Sequence, residues 1–399
     1  MNKQSSAKTR TKKWPESGID PELAKIRDWL APRKSEMVAS LQELVESESP
    51  TNDKLACDKL CAGLANRFQQ IGGRAKMHRQ KSAGDHLQVE FRGPADCKPI
   101  LLLGHYDTVY SLGTLASMPW RQSKGLVYGP GVFDMKGGIV QMIFAIRALQ
   151  ATSKSLPRPI SVLLVSDEEE GSASSRRITE AVASRCQAVF VCEPAGRNGA
   201  LKTARKGVGD FTISVSGVAA HAGLDFEKGH NAILELAHQV KAIAAMTDLV
   251  RGITLNVGRI RGGTRTNVVP SEAIAEFDLR VTTTLDGSYM LRKIRSLKPL
   301  NPKCKLHIEG AINRPPLERS PAVVALFKKA QAVANQLGFT LNEIAVGGGS
   351  DGNFTAGMGI PTLDGLGAVG DGAHSLRESV VAAEMPRRTA LLAGLIASL

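Results

Sequence analysis

Five side chains able to bind a metal stand at the ends of apolar runs in this chain: His105, Asp134, Glu169, Glu193 and His374. Ile100-Leu101-Leu102-Leu103-Gly104 stops at His105, Ile160 to Ser166 runs into the acidic segment that holds Glu169, and Ala188 to Cys192 stops at Glu193. Short apolar runs separated by helical segments read as the buried strands of a mainly parallel sheet. Open sheets of that kind take ligands at the carboxyl ends of their strands. The runs therefore fix both a fold class, α/β, and the edge of the sheet where chemistry belongs.

The rest of the chain fits two domains rather than one, as expected for 399 residues. Residues 21–47 read as one amphipathic helix and 53–71 as a second. Strands are expected near 87–92, 100–104, 160–166 and 188–192, with a helix over 135–150. From Arg205 the pattern changes to strand 209–216, helix 230–246, strands 253–261 and 272–282, helix 286–297 and strand 304–312. That β-α-β-β-α-β order is the ferredoxin-like plan. Pro315-Pro316 closes it, and a helix (320–337), a strand (360–366) and a final helix (378–398) complete the first domain. The expected division is a disordered basic arm over 1–17, an α/β domain in two parts (18–204 and 314–399), and an inserted ferredoxin-like domain over 205–313.

Composition excludes several classes. No run reaches the roughly 18 apolar residues of a membrane span. The first 13 residues are basic, with no apolar segment behind them, so they do not read as a secretory signal. Six scattered cysteines without a C-x-x-C pair read as reduced, packed thiols, which fits a cytoplasmic location. The formal charge is +13, five of it from the arm (Lys3, Lys8, Arg10, Lys12, Lys13), which favours anionic ligands. Aromatic residues make up only 5%, and no basic–aromatic motif marks a specific nucleic-acid surface.

Each candidate motif is weak alone. In Gly104-His105-Tyr106-Asp107-Thr108-Val109, His105 and Asp107 point the same way on extended backbone, so Asp107 is suited to hold the histidine in one tautomer. Asp134 lies among glycines and opens a helix, where a carboxylate is also a common cap. Asp167-Glu168-Glu169-Glu170 would repel one another without a nearby positive charge. Cys192-Glu193-Pro194 repeats the strand-end arrangement, and Gly370-Asp371-Gly372-Ala373-His374-Ser375 puts a histidine in a glycine-rich loop. Together, two His, one Asp and two Glu form a mixed N/O set suited to paired Zn²⁺ ions.

These motifs, with Ser216-Gly217, His221-Ala222-Gly223 and Gly372-Ala373-His374, occur in the order of a known family. The chain resembles the dinuclear-zinc metallopeptidases that include carboxypeptidase G (glutamate carboxypeptidase), acetylornithine deacetylase, succinyl-diaminopimelate desuccinylase and aminoacylase. The resemblance implies two Zn²⁺ ions per subunit (Co²⁺ or Mn²⁺ being alternatives), bridged by Asp134. His105 and Glu193 would complete one site, and Glu169 and His374 the other. It further implies that the two-part domain is catalytic and the insert a lid and dimerisation domain, that Glu168 is the general base, that the Asp134–Met135 peptide is cis, and that His221 reaches into the partner subunit's site of a homodimer, with Asn267 as a second polar contact. Arg280 would bind a substrate carboxylate, assisted by the amides of Gly348, Gly349 and Ser350. Where glutamate-specific members carry small hydroxyl residues near the lid hinge, this chain has Arg205-Lys206-Gly207. The expected activity is hydrolysis of an amide bond beside a free carboxylate in a small anionic peptide or N-acyl amino acid. Aminopeptidase or dipeptidase action is the alternative within the family. A non-catalytic nucleic-acid-binding protein is the alternative outside it.

Overall fold

A computed structural model describes Trp14 and residues 18–399; the expected basic arm, apart from Trp14, lies outside the described residues. The chain divides into two units.

The first unit comprises the residues up to Thr203 together with Ser320–Ile344 and Ile360–Leu399. Its six-stranded sheet runs Arg74–His78, His86–Phe91, Ile160–Val165, Ile100–His105, Ala188–Val191, Thr362–Leu363. The last four strands are mutually parallel, and the first two add antiparallel pairs at one edge. Every residue of Ile100–His105 and Ile160–Val165 is buried. That burial explains why these strands are apolar throughout instead of alternating. Helix Gly137–Thr152 packs in the core against Met385–Ala397.

One expected helix is two. Residues Pro21–Leu30 and Lys34–Glu46 are separated by a short 3-10 turn, Ala31–Arg33. Pro32 sits in that turn, where it has no amide to give a continuing helix. Sequence patterning also missed a four-stranded sheet, in the order Gly370–Asp371, Ser379–Val381, Leu126–Tyr128, Arg121–Ser123. Its strands have two or three residues, too few to show an alternation. No helix among the described residues is long and apolar enough to cross a membrane.

The second unit comprises Ala204–Arg319 and Ala345–Gly359. Its antiparallel sheet has the order Thr254–Gly262, Glu272–Val281, Gly207–Ser216, Lys305–Arg314, with helices Ala232–Ala244 and Thr284–Arg295. This is the ferredoxin-like plan. Phe211, Ile213, Leu236, Phe277, Leu279 and Met290 form its core. Residues 345–359, expected in the catalytic part, cluster here instead. Arg205 donates to the carbonyls of Gly348 (3.1 Å) and Gly349 (3.0 Å), and Arg314 pairs with Asp351 at 2.6 Å. These charged contacts hold the glycine-rich loop against the inserted sheet.

Asp85 gives the first unit an acid-sensitive contact. Its carboxylate is 1% exposed and faces Arg79 (2.6 Å), Lys54 (3.3 Å) and the Gln80 amide (2.9 Å). Burial works against its charge, but those three donors outweigh it and lower its pKa from 3.8. A carboxyl with a depressed folded-state pKa stabilises fully above its unfolded value, and the contribution is lost as pH falls through the folded value. Melting temperatures followed below about pH 4 should therefore drop less steeply in Asp85→Asn than in the wild type. Parallel acid limbs for the two proteins would refute the assignment.

Candidate metal centre

Three strand ends and two turns of the first unit bring the expected ligands together. His105 ends the strand Ile100–His105, and Glu193 follows Ala188–Val191 by two residues. Glu169 lies in the turn Glu168–Glu170 after Ile160–Val165. Asp134 comes from the segment Val132–Lys136, which leads into helix Gly137–Thr152, and its peptide bond to Met135 is cis. His374 sits between the short paired strands Gly370–Asp371 and Ser379–Val381, at φ +60°.

The ligand atoms form two overlapping triads. His105 Nε2 is 3.1 Å from Asp134 Oδ1 and 3.2 Å from Glu193 Oε1. His374 Nε2 is 3.4 Å from Asp134 Oδ2 and 3.2 Å from Glu169 Oε2. Within each triad all ligand atoms lie within 4.8 Å of one another. Asp134 belongs to both, with one oxygen turned to each histidine. A divalent cation fits this set: the donors are nitrogen and oxygen only, and three carboxylates converge with two imidazoles.

The electrostatics agree. Burial opposes a charged imidazolium at His105, yet Asp107, Asp134 and Glu193 outweigh it and hold its pKa well above the ordinary value. Asp134 and Glu169 push His374 up to about 10. Burial alone would raise Asp134, but the two histidines bring it down. At Glu169 burial dominates and raises the pKa. Protons and metal ions compete for the same lone pairs in such a cluster.

Around the triads, the expected orienting contact is shared. His105 Nδ1 lies 3.0 Å from the Asp107 carbonyl oxygen and 3.3 Å from Asp107 Oδ1. Asp107 Oδ2 accepts from Thr51 Oγ1 (2.8 Å) and the Glu169 amide (3.2 Å). Asp107 thus touches the ligand loops of both triads. Glu168 is half-buried beside Glu169. Two residues that sequence reasoning missed also lie here. Glu378 is fully buried against the Asp134 segment, and Tyr110 donates to it at 2.6 Å. The only sequence signal was a glutamate four residues beyond His374.

The second unit holds the remaining candidates. His221 and Asn267 are exposed and adjacent: His221 pairs with Val268 in a two-residue ladder, and the Ala222 amide donates to the Asn267 carbonyl at 3.0 Å. Arg280 is half-buried and held by Asp278, Nε to Oδ1 at 2.9 Å and Nη2 to Oδ2 at 2.8 Å. Its Nη1 lies 3.5 Å from the Gly347 carbonyl. Gly348 is exposed and Gly349 half-buried, but Ser350 is fully buried and its amide already donates to Asn353 Oδ1 at 2.9 Å. That bond leaves Ser350 no amide to offer a substrate carboxylate.

Residues 101–398 match the model of peptidase family M20/M25/M40. The chain belongs to this family. Membership makes it a hydrolase and implies a divalent metal. Among relatives in the family, carboxypeptidase G2 of Pseudomonas sp. (strain RS-16) is 29% identical over 372 residues, covering 91% of this chain and 89% of that protein. Succinyl-diaminopimelate desuccinylase of Dechloromonas aromatica (strain RCB) is 26% identical over 307 residues, covering 72% of this chain and 80% of that one. The crystal structure of aminopeptidase PepT from Bacillus cereus shares the M20 fold with a TM-score of 0.76 at 22% identity, covering 91% of this chain and 98% of the other.

Proposed function

We propose that this M20 hydrolase cleaves an amide or peptide bond next to a free carboxylate, as a carboxypeptidase or N-acyl amino acid deacylase. The observation that carries the reading is the pair of triads sharing Asp134. His105, Asp134 and Glu193 would hold one Zn²⁺, and Asp134, Glu169 and His374 a second, with Co²⁺ or Mn²⁺ able to use the same donors. Bound there, the ions would polarise the scissile carbonyl and make water acidic enough to attack at neutral pH.

The chain's own groups do the rest. Glu168 takes a proton from the attacking water as the new carbon–oxygen bond forms. It returns that proton to the amide nitrogen as the carbon–nitrogen bond breaks. Asp107 keeps His105 in the tautomer whose Nε2 lone pair faces Asp134 and Glu193. His221 and Asn267 would stabilise the oxyanion of the tetrahedral intermediate, His221 from the partner subunit of a homodimer. Arg280, steadied by Asp278, would receive the substrate carboxylate on its guanidinium.

A panel of N-acyl amino acids and free-amine dipeptides, run with metal analysis on purified protein, tests this. Acyl-blocked substrates with a free carboxylate should be hydrolysed. Arg280→Ala should raise their KM by about 10- to 100-fold, the loss of a charge-assisted hydrogen bond. Preference for free-amine substrates would instead make the protein an aminopeptidase or dipeptidase.

A further inference from the structure

Asp134 is common to both triads, and its backbone is gripped by a residue that belongs to neither. Glu378 is fully buried. Its Oε1 accepts from the amides of Phe133 (2.7 Å) and Asp134 (2.9 Å), and its Oε2 from the Gly131 amide (3.1 Å) and the Tyr110 hydroxyl (2.6 Å). Tyr110 Oη also lies 3.0 Å from the Ser375 carbonyl, and the Glu378 amide donates to that carbonyl at 3.0 Å. One carboxylate therefore ties the turn that carries His374 to the turn that carries Asp134. Burying a carboxylate is costly unless its oxygens are satisfied, and here four donors satisfy them. Three of the four are backbone amides of the segment 131–134, so the bonds fix the path of that backbone and not merely a side chain.

We propose that Glu378 is a positioning residue: it sets the dihedrals of the Asp134 segment so that each Asp134 oxygen faces its own histidine, and losing it weakens both triads together. This rests on the two-triad reading above. A purely structural Glu378 would stabilise the fold without affecting affinity for a cation.

The test is Glu378→Gln, which keeps the size but turns an NH₂ group against an amide that can only donate. Zn²⁺ affinity of the folded protein, measured by competition with a chromophoric chelator, should fall about 10- to 100-fold at both sites. His374→Ala should weaken one site far more than the other. A Glu378→Gln protein with a lowered melting temperature but wild-type affinity at both sites would overturn the proposal. If Glu378→Gln does not fold, Tyr110→Phe, which removes one of the four donors, decides. The proposal expects an altered Co²⁺ absorption spectrum and weaker Co²⁺ binding in that variant, and an unchanged spectrum with unchanged affinity would overturn it. Failure of the underlying reading looks different: the wild type itself would then bind no pair of ions.

Discussion

Glu168→Ala should lower kcat by about two to four orders of magnitude while both metals stay bound. Glu168 lies next to Glu169 in the turn after a buried strand, yet it is absent from either triad. Its removal takes away a proton acceptor without taking away a ligand. A loss of this size corresponds to about 3–5 kcal/mol of transition-state stabilisation. KM should change little, because the proton acceptor acts on the attacking water and is not a proposed contact of the substrate carboxylate. The measurements are steady-state kinetics and metal content on the same preparation. Near-normal turnover would end the general-base assignment. Metal loss in step with activity would recast Glu168 as a ligand.

Arg388→Ala should destabilise the protein by about 3–5 kcal/mol, the combined cost of stranding buried carbonyls and emptying a large side-chain volume. Arg388 is 2% exposed and lies on the final helix, Met385–Ala397. Its guanidinium donates to the carbonyls of Gly367 (3.2 Å), Gly199 (2.9 Å) and Gly365 (2.5 Å). Burial pulls its pKa down to about 10, which still leaves it charged at neutral pH. Without it, three carbonyls lose their donor and a large side-chain volume is left empty. Gly367 also donates its amide to the Glu193 carbonyl at 2.9 Å, so the disturbance reaches a ligand-bearing loop. Arg388→Lys should recover only part of the loss, because an ammonium cannot serve three divergent acceptors as a planar fork does. Urea unfolding of the three proteins measures this, and a loss below about 1 kcal/mol in Arg388→Ala would show that the carbonyls find other donors.

The legible parts of the molecule were those whose physics is local. Ile100–His105, Ile160–Val165 and Ala188–Val191 could be read as strands because burial on both faces leaves uninterrupted apolar runs. The six long elements of the inserted unit were readable for the related reason that each runs for nine or more residues. Pro32 was visible, but the helices on either side share a face and concealed the break. Residues 345–359 were assigned to the wrong unit because chain order suggested the catalytic part. The contacts that decide otherwise, from Arg205 and Arg314, join positions more than 35 residues apart. Glu378 escaped notice for the same reason: its partners Tyr110 and Gly131 to Asp134 lie about 240 to 270 positions earlier. The particular roles of Asp134 and His374 rest on the family resemblance, since a glycine-flanked aspartate or histidine has many ordinary uses.

The small sheet that carries His374 also limits how this chain can vary. Asp371 pairs with Ser379, and Ser379 pairs in turn with Tyr128 on the strand that leads to Asp134. The residues from 372 to 378 form an arc of fixed count between two anchored ends. Slipping a β pairing by one position turns every side chain to the opposite face. Individual side chains in the arc, such as the exposed Leu376, can be exchanged at little cost to the pairing. An insertion or deletion would have to be absorbed in the arc itself or would shift the register and carry His374 away from Asp134. In this segment the number of residues is under tighter constraint than most of their identities.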